Sequence, residues 1–279
     1  MKTCGKQLLG SIMLEQRQNA QKETNRLEEV NSEADVWQSA PLNLALPIDR
    51  LDLWRIPLQR RPAELNLSPC LSADEIARAN RFHFERDRTR FAECRKSVRD
   101  ILSRYLHLAP PDVRFRYEVS GKPEIVDEQN EPELRFNVSH SSDLAILAVS
   151  CRRAVGVDIE AIREQPNCLE LARRYFSDRE YRNLLAVPAD ERQLAFFACW
   201  TCKEAFVKAC GQGLSYPLSD FSVSVGPNGL AAIEEIGENP HALLSWSLVS
   251  LEPGEGYVGA VVFESPPCAL ARWHWNQIL

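Results

Sequence analysis

Apolar and polar residues alternate along Asp52-Leu53-Trp54-Arg55-Ile56-Pro57-Leu58, the two-residue period of a half-buried strand. Ser72 with Glu75 three positions on is a capping-box pattern that opens a helix. Beyond it, Phe91, Cys94, Val98, Ile101 and Tyr105 recur at three- and four-residue spacing, which puts them on one face of a second helix. Short β-type runs follow at Val113–Tyr117, Phe136–Val138, Leu144–Val149 and Ala154–Ile159, separated by turn residues such as Gly121-Lys122-Pro123. The second half passes through the same order. Helical patterns at Leu169–Tyr175, Asp178–Leu185 and Asp190–Cys210 precede strands near Phe221–Val225, Leu230–Ile236, Leu243–Leu251 and Tyr257–Phe263.

Helices then strands, twice over, predicts an α+β fold of two similar lobes produced by internal duplication. A faint echo between Arg90-Phe91-Ala92-Glu93-Cys94 and Phe196-Phe197-Ala198-Cys199 agrees with it. The lobes are expected over 39–155 and 156–279. Residues 1–38, rich in Gln, Glu, Asn and Lys and weakly periodic after Leu14, read as a mobile or loosely helical extension.

Composition narrows the function. A formal charge of -6 excludes a general nucleic-acid binder, so a phosphate ligand needs a local basic pocket. No stretch approaches the roughly 18 apolar residues of a membrane span. The run from Leu8 to Leu14 follows Lys2 and Lys6, but Glu15, Arg17 and Gln18 stand where a secretory cleavage site would be. The nine cysteines are odd in number and show no disulfide framework, which suits a reducing, cytoplasmic setting.

Three blocks carry candidate chemistry. In Gly156-Val157-Asp158-Ile159-Glu160 the two acids stand at i and i+2, so on a strand they share a face. They could share one hard cation such as Mg²⁺, or be the solvated acids of an exposed strand end. In Trp200-Thr201-Cys202-Lys203-Glu204-Ala205-Phe206-Val207-Lys208, helical spacing aligns Phe197, Trp200 or Thr201, Glu204 and Lys208. That stripe is either an inward-facing charged pair or a surface Glu-Lys pair. Phe136-Asn137-Val138-Ser139-His140-Ser141 reads as a strand entering a turn whose hydroxyls and imidazole could bind phosphate, or as a plain loop. Cys199 and Cys202 match C-x-x-C but lie inside a helix, where they read as packing residues.

Together these blocks resemble the 4'-phosphopantetheinyl transferase superfamily, in its long two-lobed Sfp type, over roughly Trp54 to Phe263. Gly121-Lys122-Pro123, Phe136 to Ser141, Gly156 to Glu160, and Trp200 to Lys208 with Gly213-Leu214 behind it occur in the family's order. The resemblance implies an enzyme that moves phosphopantetheine from coenzyme A to a serine of an apo acyl, polyketide or peptidyl carrier protein. Its active site would lie in a cleft between lobes related by a pseudo-twofold. By the same resemblance Asp158, Glu160 and Glu204 would hold Mg²⁺ or Mn²⁺, and Lys208 would meet the diphosphate. Lys122, Ser139 and His140 would hold the phosphates and adenosine end, with Arg90 on a phosphate.

Glu180 matches an acid near the incoming serine and would take its proton; with Glu204 and Lys208 it completes the implied catalytic set. Where some relatives carry two lysines for the nucleotide phosphates, this chain has Glu75 and Arg78, of which only Arg78 could serve. A monomer is expected, since one chain would supply both halves of the cleft, with neither nucleic acid nor membrane as partner. Two alternatives are a coenzyme A-binding protein without transfer activity and an unrelated Mg²⁺-dependent phosphohydrolase.

Overall fold

The computed structural model describes residues 36–276 apart from 42–43, 59–69, 119–120, 132, 214–215, 226–230 and 238–239. Most of the extension expected over residues 1–38, with the Leu8–Leu14 run, lies outside the described residues. Gln38–Ser39 forms a short strand, β1. The alternating segment around Trp54 becomes β2 (Arg50–Pro57), with Leu51, Leu53, Trp54 and Ile56 all fully buried.

The Ser72–Glu75 capping box opens α1 (Ala73–Ala79) as its spacing predicts. The stripe of Phe91, Cys94, Val98, Ile101 and Tyr105 is the buried face of α2 (Glu85–Leu106). Strands β3 (Phe115–Tyr117) and β4 (Pro123–Ile125) form a small antiparallel pair, followed by β5 (Leu134–Ser141), β6 (Leu144–Cys151) and β7 (Val155–Ala161). Next come α3 (Cys168–Tyr175), α4 (Asp178–Ala186) and α5 (Arg192–Cys210). The chain ends in β8 (Phe221–Val225), β9 (Ala231–Ile236), β10 (Trp246–Leu251), β11 (Tyr257–Glu264) and β12 (Ala269–His274).

Two sheets carry this mixed α+β fold. One has the order β1-β12-β2-β6-β5, and the other β10-β11-β7. Helix α2 packs on the first through a cluster that includes Trp54, Ile56, Val98, Ile101 and Leu147. Within it Trp54 Nε1 donates to Tyr105 Oη at 2.9 Å, and Tyr105 Oη donates to Asp52 Oδ2 at 2.7 Å, so a buried polar chain ties α2 to β2. Helix α5 packs on the second through Phe196, Cys202, Phe206, Ala260 and Val262. A third cluster lies between the sheets and joins Leu53 and Ile146 of one to Val157, Val261 and Phe263 of the other.

Three features differ from the sequence-based expectations. Strand β5 continues through Ser139, His140 and Ser141, where a turn was expected, and the chain reverses at Ser142, whose φ is positive at 50°. The polar residues there misled because a strand at a sheet edge can alternate hydroxyls as well as apolar groups. The run from Leu243 begins as a 3-10 turn, Pro240–Ser245, and becomes extended only at Trp246. Strand β12, absent from the periodic reading, lies in residues 156–279 yet pairs in parallel with β2 of the first sheet.

Helix α5 and β7 meet at Gly156. A Cβ there would sit 2.1 Å from Ala205 O and 2.3 Å from Ala209 N, both backbone atoms that cannot step aside. Gly156→Ala is therefore expected to cost about 3 kcal/mol through overpacking, read as a lower urea midpoint.

Candidate active site where the two sheets meet

β5 edges the first sheet and β7 edges the second, and alternate side chains of β5 reach across to β7. Asn137 Oδ1 accepts from Val157 N at 2.9 Å, Ser139 Oγ donates to Asp158 Oδ1 at 2.8 Å, and Ser141 Oγ donates to Glu160 Oε2 at 2.8 Å. The two-residue period of both strands makes this ladder, because each puts its odd or even members on one face. From α5, Lys208 Nζ donates to Asp158 Oδ1 at 2.6 Å and to Ser139 Oγ at 3.0 Å. The structure thus joins Ser139, Asp158 and Lys208 in one bonded group with Glu160 and Glu204 beside it.

The charge at this point is unbalanced. Burial raises the Glu204 pKa above its ordinary value, and Asp158 adds to the shift while Lys208 opposes it. Glu160 is raised for the same leading reason, with Asp158 again adding, against the hydrogen bond from Ser141. Asp158 itself is buried, and its Oδ2 has no hydrogen-bond partner. A buried anionic oxygen without a donor is costly unless a cation takes it. The donor set of three carboxylates suits a hard divalent ion. Among the described residues no three His, Cys, Asp or Glu side chains stand together as a metal cluster; Asp158 instead turns Oδ1 to the Lys208 ammonium.

The other faces supply positive charge. His140 points away from the ladder into a cavity of about 310 Å³ that Arg78, Lys122 and Lys208 also line. Its pKa is lowered by burial, then by Lys208, Arg90 and Arg78, with Asp87 opposing. Arg78 also lines a wider cavity of about 570 Å³ with Arg81 and Tyr117, its guanidinium 5.4 Å from the centre of the Phe91 ring. Arg90 turns to the reversal after β5, where its Nε and Nη2 both donate to Asp143 Oδ1. Lys122 lines the cavity, but its Nζ donates to two main-chain carbonyls, Lys208 O at 2.8 Å and Val155 O at 3.0 Å. It thereby fastens the last turn of α5 to the start of β7.

Glu75 faces inward. Burial alone would raise its pKa, but Arg95, the Ser72 N–H and Arg99 outweigh that and hold it low. Arg95 and Arg99 reach it at 2.7 Å each. Its charge is therefore spent inside the fold and does not face a phosphate.

The structure does not bring Glu180 to the bonded group as a base. Its carboxylate accepts from Lys203 Nζ at 2.7 and 2.8 Å, from Val223 N at 2.8 Å and from Ser177 N at 2.8 Å. A carboxylate accepting four bonds from three donors, one of them a fully buried ammonium, has its lone pairs taken up within the fold. Lys203 is the residue the sequence reading passed over. Its position on the stripe of Phe196, Cys199 and Phe206 was the signal, since a lysine on an apolar stripe must find an acid. The thiols of Cys199 and Cys202 are buried in the same helix, that of Cys202 pushed up to about 12 by burial.

The 4'-phosphopantetheinyl transferase superfamily matches residues 154–262, and the 4'-phosphopantetheinyl transferase N-terminal family matches 60–152. The 4'-phosphopantetheinyl transferase HetI of Nostoc sp. is 39% identical over 240 residues, 86% of this chain and 98% of that one. The chain belongs to the 4'-phosphopantetheinyl transferase superfamily. Another relative, Sfp of Bacillus subtilis, is 37% identical over 178 residues, 64% of this chain and 76% of its own. Among solved structures, the holo-(acyl-carrier-protein) synthase of Bacillus anthracis in complex with CoA (3',5'-ADP) aligns with 40% of this chain and 96% of that one, at 19% identity and a TM-score of 0.34. In this transferase the three acids and Lys208 fall within the matched residues 154–262, and the β5 side of the ladder falls within 60–152.

Two outcomes follow from the geometry. Glu180→Ala strands the buried Lys203 ammonium and is expected to cost about 3–5 kcal/mol in urea unfolding, whereas an acid acting only as base would leave stability unchanged. Glu160 and Glu204 are raised on folding, so the folded state binds protons more tightly than the unfolded chain. Their destabilising effect is absent below the unfolded-state pKa and grows as pH rises through the folded value. In chelated buffer, Glu204→Gln should therefore raise the melting temperature at about pH 8 and leave it nearly unchanged at about pH 4.

Proposed function

We propose that this site transfers the phosphopantetheine arm of coenzyme A to a serine of an apo carrier protein. One observation carries the reading. Asp158, pinned by Ser139 and Lys208, keeps a buried, unpartnered carboxylate oxygen beside Glu160 and Glu204, and a wall of Arg78, His140 and Lys208 stands next to them. Acids that need a cation, placed against a basic cavity, suit a diphosphate held between metal and lysine. Membership of the superfamily supports the substrate pair.

The serine hydroxyl attacks the β-phosphorus of coenzyme A, the bond from that phosphorus to the bridging oxygen breaks, and adenosine 3',5'-bisphosphate leaves. Negative charge gathers on the departing bridging oxygen. Lys208 neutralises it from the α5 side. Asp158, Glu160 and Glu204 would hold Mg²⁺ or Mn²⁺, which when bound supplies Lewis-acid neutralisation of the diphosphate. The proton released from the serine hydroxyl leaves to solvent or on the departing bisphosphate as the new bond forms.

Both halves run strand, helices, short hairpin, then a hairpin whose second strand pairs with the first strand of that half. We read this as a duplication with a pseudo-twofold at the β5–β7 edge. One chain supplies acids from one half and hydroxyls from the other, so a monomer suffices.

Incubation with coenzyme A, Mg²⁺ and a panel of purified apo carriers should add one phosphopantetheine per carrier serine by intact mass; no gain on any carrier would overturn the assignment. Asp158→Ala should lower transfer by roughly 10²-fold or more with the fold intact, judged by unchanged circular dichroism. Normal turnover in that variant would rule out its role.

A further inference from the structure

We propose that Ser141 is a positioning residue whose hydroxyl, carried by one sheet, sets the Glu160 carboxylate on the other for cation binding. This rests on the reading of Asp158, Glu160 and Glu204 as cation-binding acids. Ser141 is buried, and its Oγ accepts from Ala161 N at 3.1 Å while donating to Glu160 Oε2 at 2.8 Å. The amide N–H occupies an oxygen lone pair, so the hydroxyl hydrogen is directed at the carboxylate and the hydroxyl cannot turn elsewhere without losing a bond.

Register explains why a serine stands at this position. Residues 139 and 141 of β5 face 158 and 160 of β7, one hydroxyl to one acid. A slip of one residue would present His140, whose ring belongs to the basic cavity. With Oε2 held by Ser141, rotation of the Glu160 carboxylate is restricted and its other oxygen is fixed in direction. Partners of this kind, hydrogen-bonded to a ligating carboxylate, typically govern metal affinity by 10–100-fold.

The test is Mn²⁺ binding to the full chain, read by the loss of the free-ion electron paramagnetic resonance signal in the absence of coenzyme A. Ser141→Ala should weaken Mn²⁺ affinity roughly tenfold or more, while affinity for coenzyme A in metal-free buffer stays at the wild-type value. Ser141→Thr and Ser141→Val form a second pair of matched shape, tolerated by a strand, in which only Thr keeps the hydroxyl. Thr should bind Mn²⁺ near the wild-type level and Val should not. Wild-type affinity in folded Ser141→Ala, or equal affinities for Thr and Val, would overturn the inference alone. Failure of the wild-type chain to bind Mn²⁺ would overturn the cation reading and this inference with it.

Discussion

Helix α5 lies so close on β7 that only a residue without a side chain fits beneath it, and the rest of the site hangs from that contact. Gly156 stands two residues before Asp158 and four before Glu160, while Ala205 and Ala209 flank Glu204 and Lys208. Seating the helix on the strand at Gly156 therefore fixes how far the helix acid and lysine stand from the strand acids. A larger residue would lift the helix and move Glu204 and Lys208 together. Lys122 secures the same crossing from the side, because its ammonium bonds the carbonyl of Lys208 itself and that of Val155. The carbonyls of a final helical turn lack intrahelical partners, so a cation placed there stabilises that end of α5.

The site is also a junction between two sheets, each packed against its own helices through a separate cluster. Cores of this kind can slide over one another when only apolar contact joins them; the β5–β7 ladder removes that freedom by matching directional bonds at a two-residue step. Asn137 holds a backbone N–H, while Ser139 and Ser141 hold acids. Alignment of the two sheets is thus carried by three side chains, two of which also hold the acids.

Much of this was legible in the sequence, and the reasons differ by element. The α2 stripe and the alternation around Trp54 were readable because burial imposes period on apolar residues, and both elements bury one face against a single core. The i, i+2 acids of β7 were readable as a same-face pair for the same geometric reason. Strand β12 was not, because Ala269 to His274 mixes Arg272 and His274 with apolar positions and its partner strand is over two hundred residues away in sequence. The end of β5 was missed because its inward face is polar, made of hydroxyls that meet carboxylates. Lys122 and Glu180 were placed near substrate by resemblance, but their bonds within the fold could be seen only once the distant partners Lys208, Val155 and Lys203 were in place.

Glu180 and Asp158 show how two buried acids in one protein come to different uses. Glu180 receives two bonds from Lys203 and two from backbone amides, so its charge is fully met by the fold. Such a group contributes to specifying the arrangement of α4, α5 and β8 and has nothing left to offer a ligand. Asp158 receives bonds only on Oδ1 and keeps Oδ2 buried and unmet. Folding alone would not retain that arrangement, since an apolar residue of similar size would remove the desolvation cost. On the proposed reading a cation would complete that coordination, with Glu160 and Glu204, both raised chiefly by burial, as its neighbours. The distinction between the two acids lies in how many of their oxygens the fold satisfies; depth of burial does not separate them.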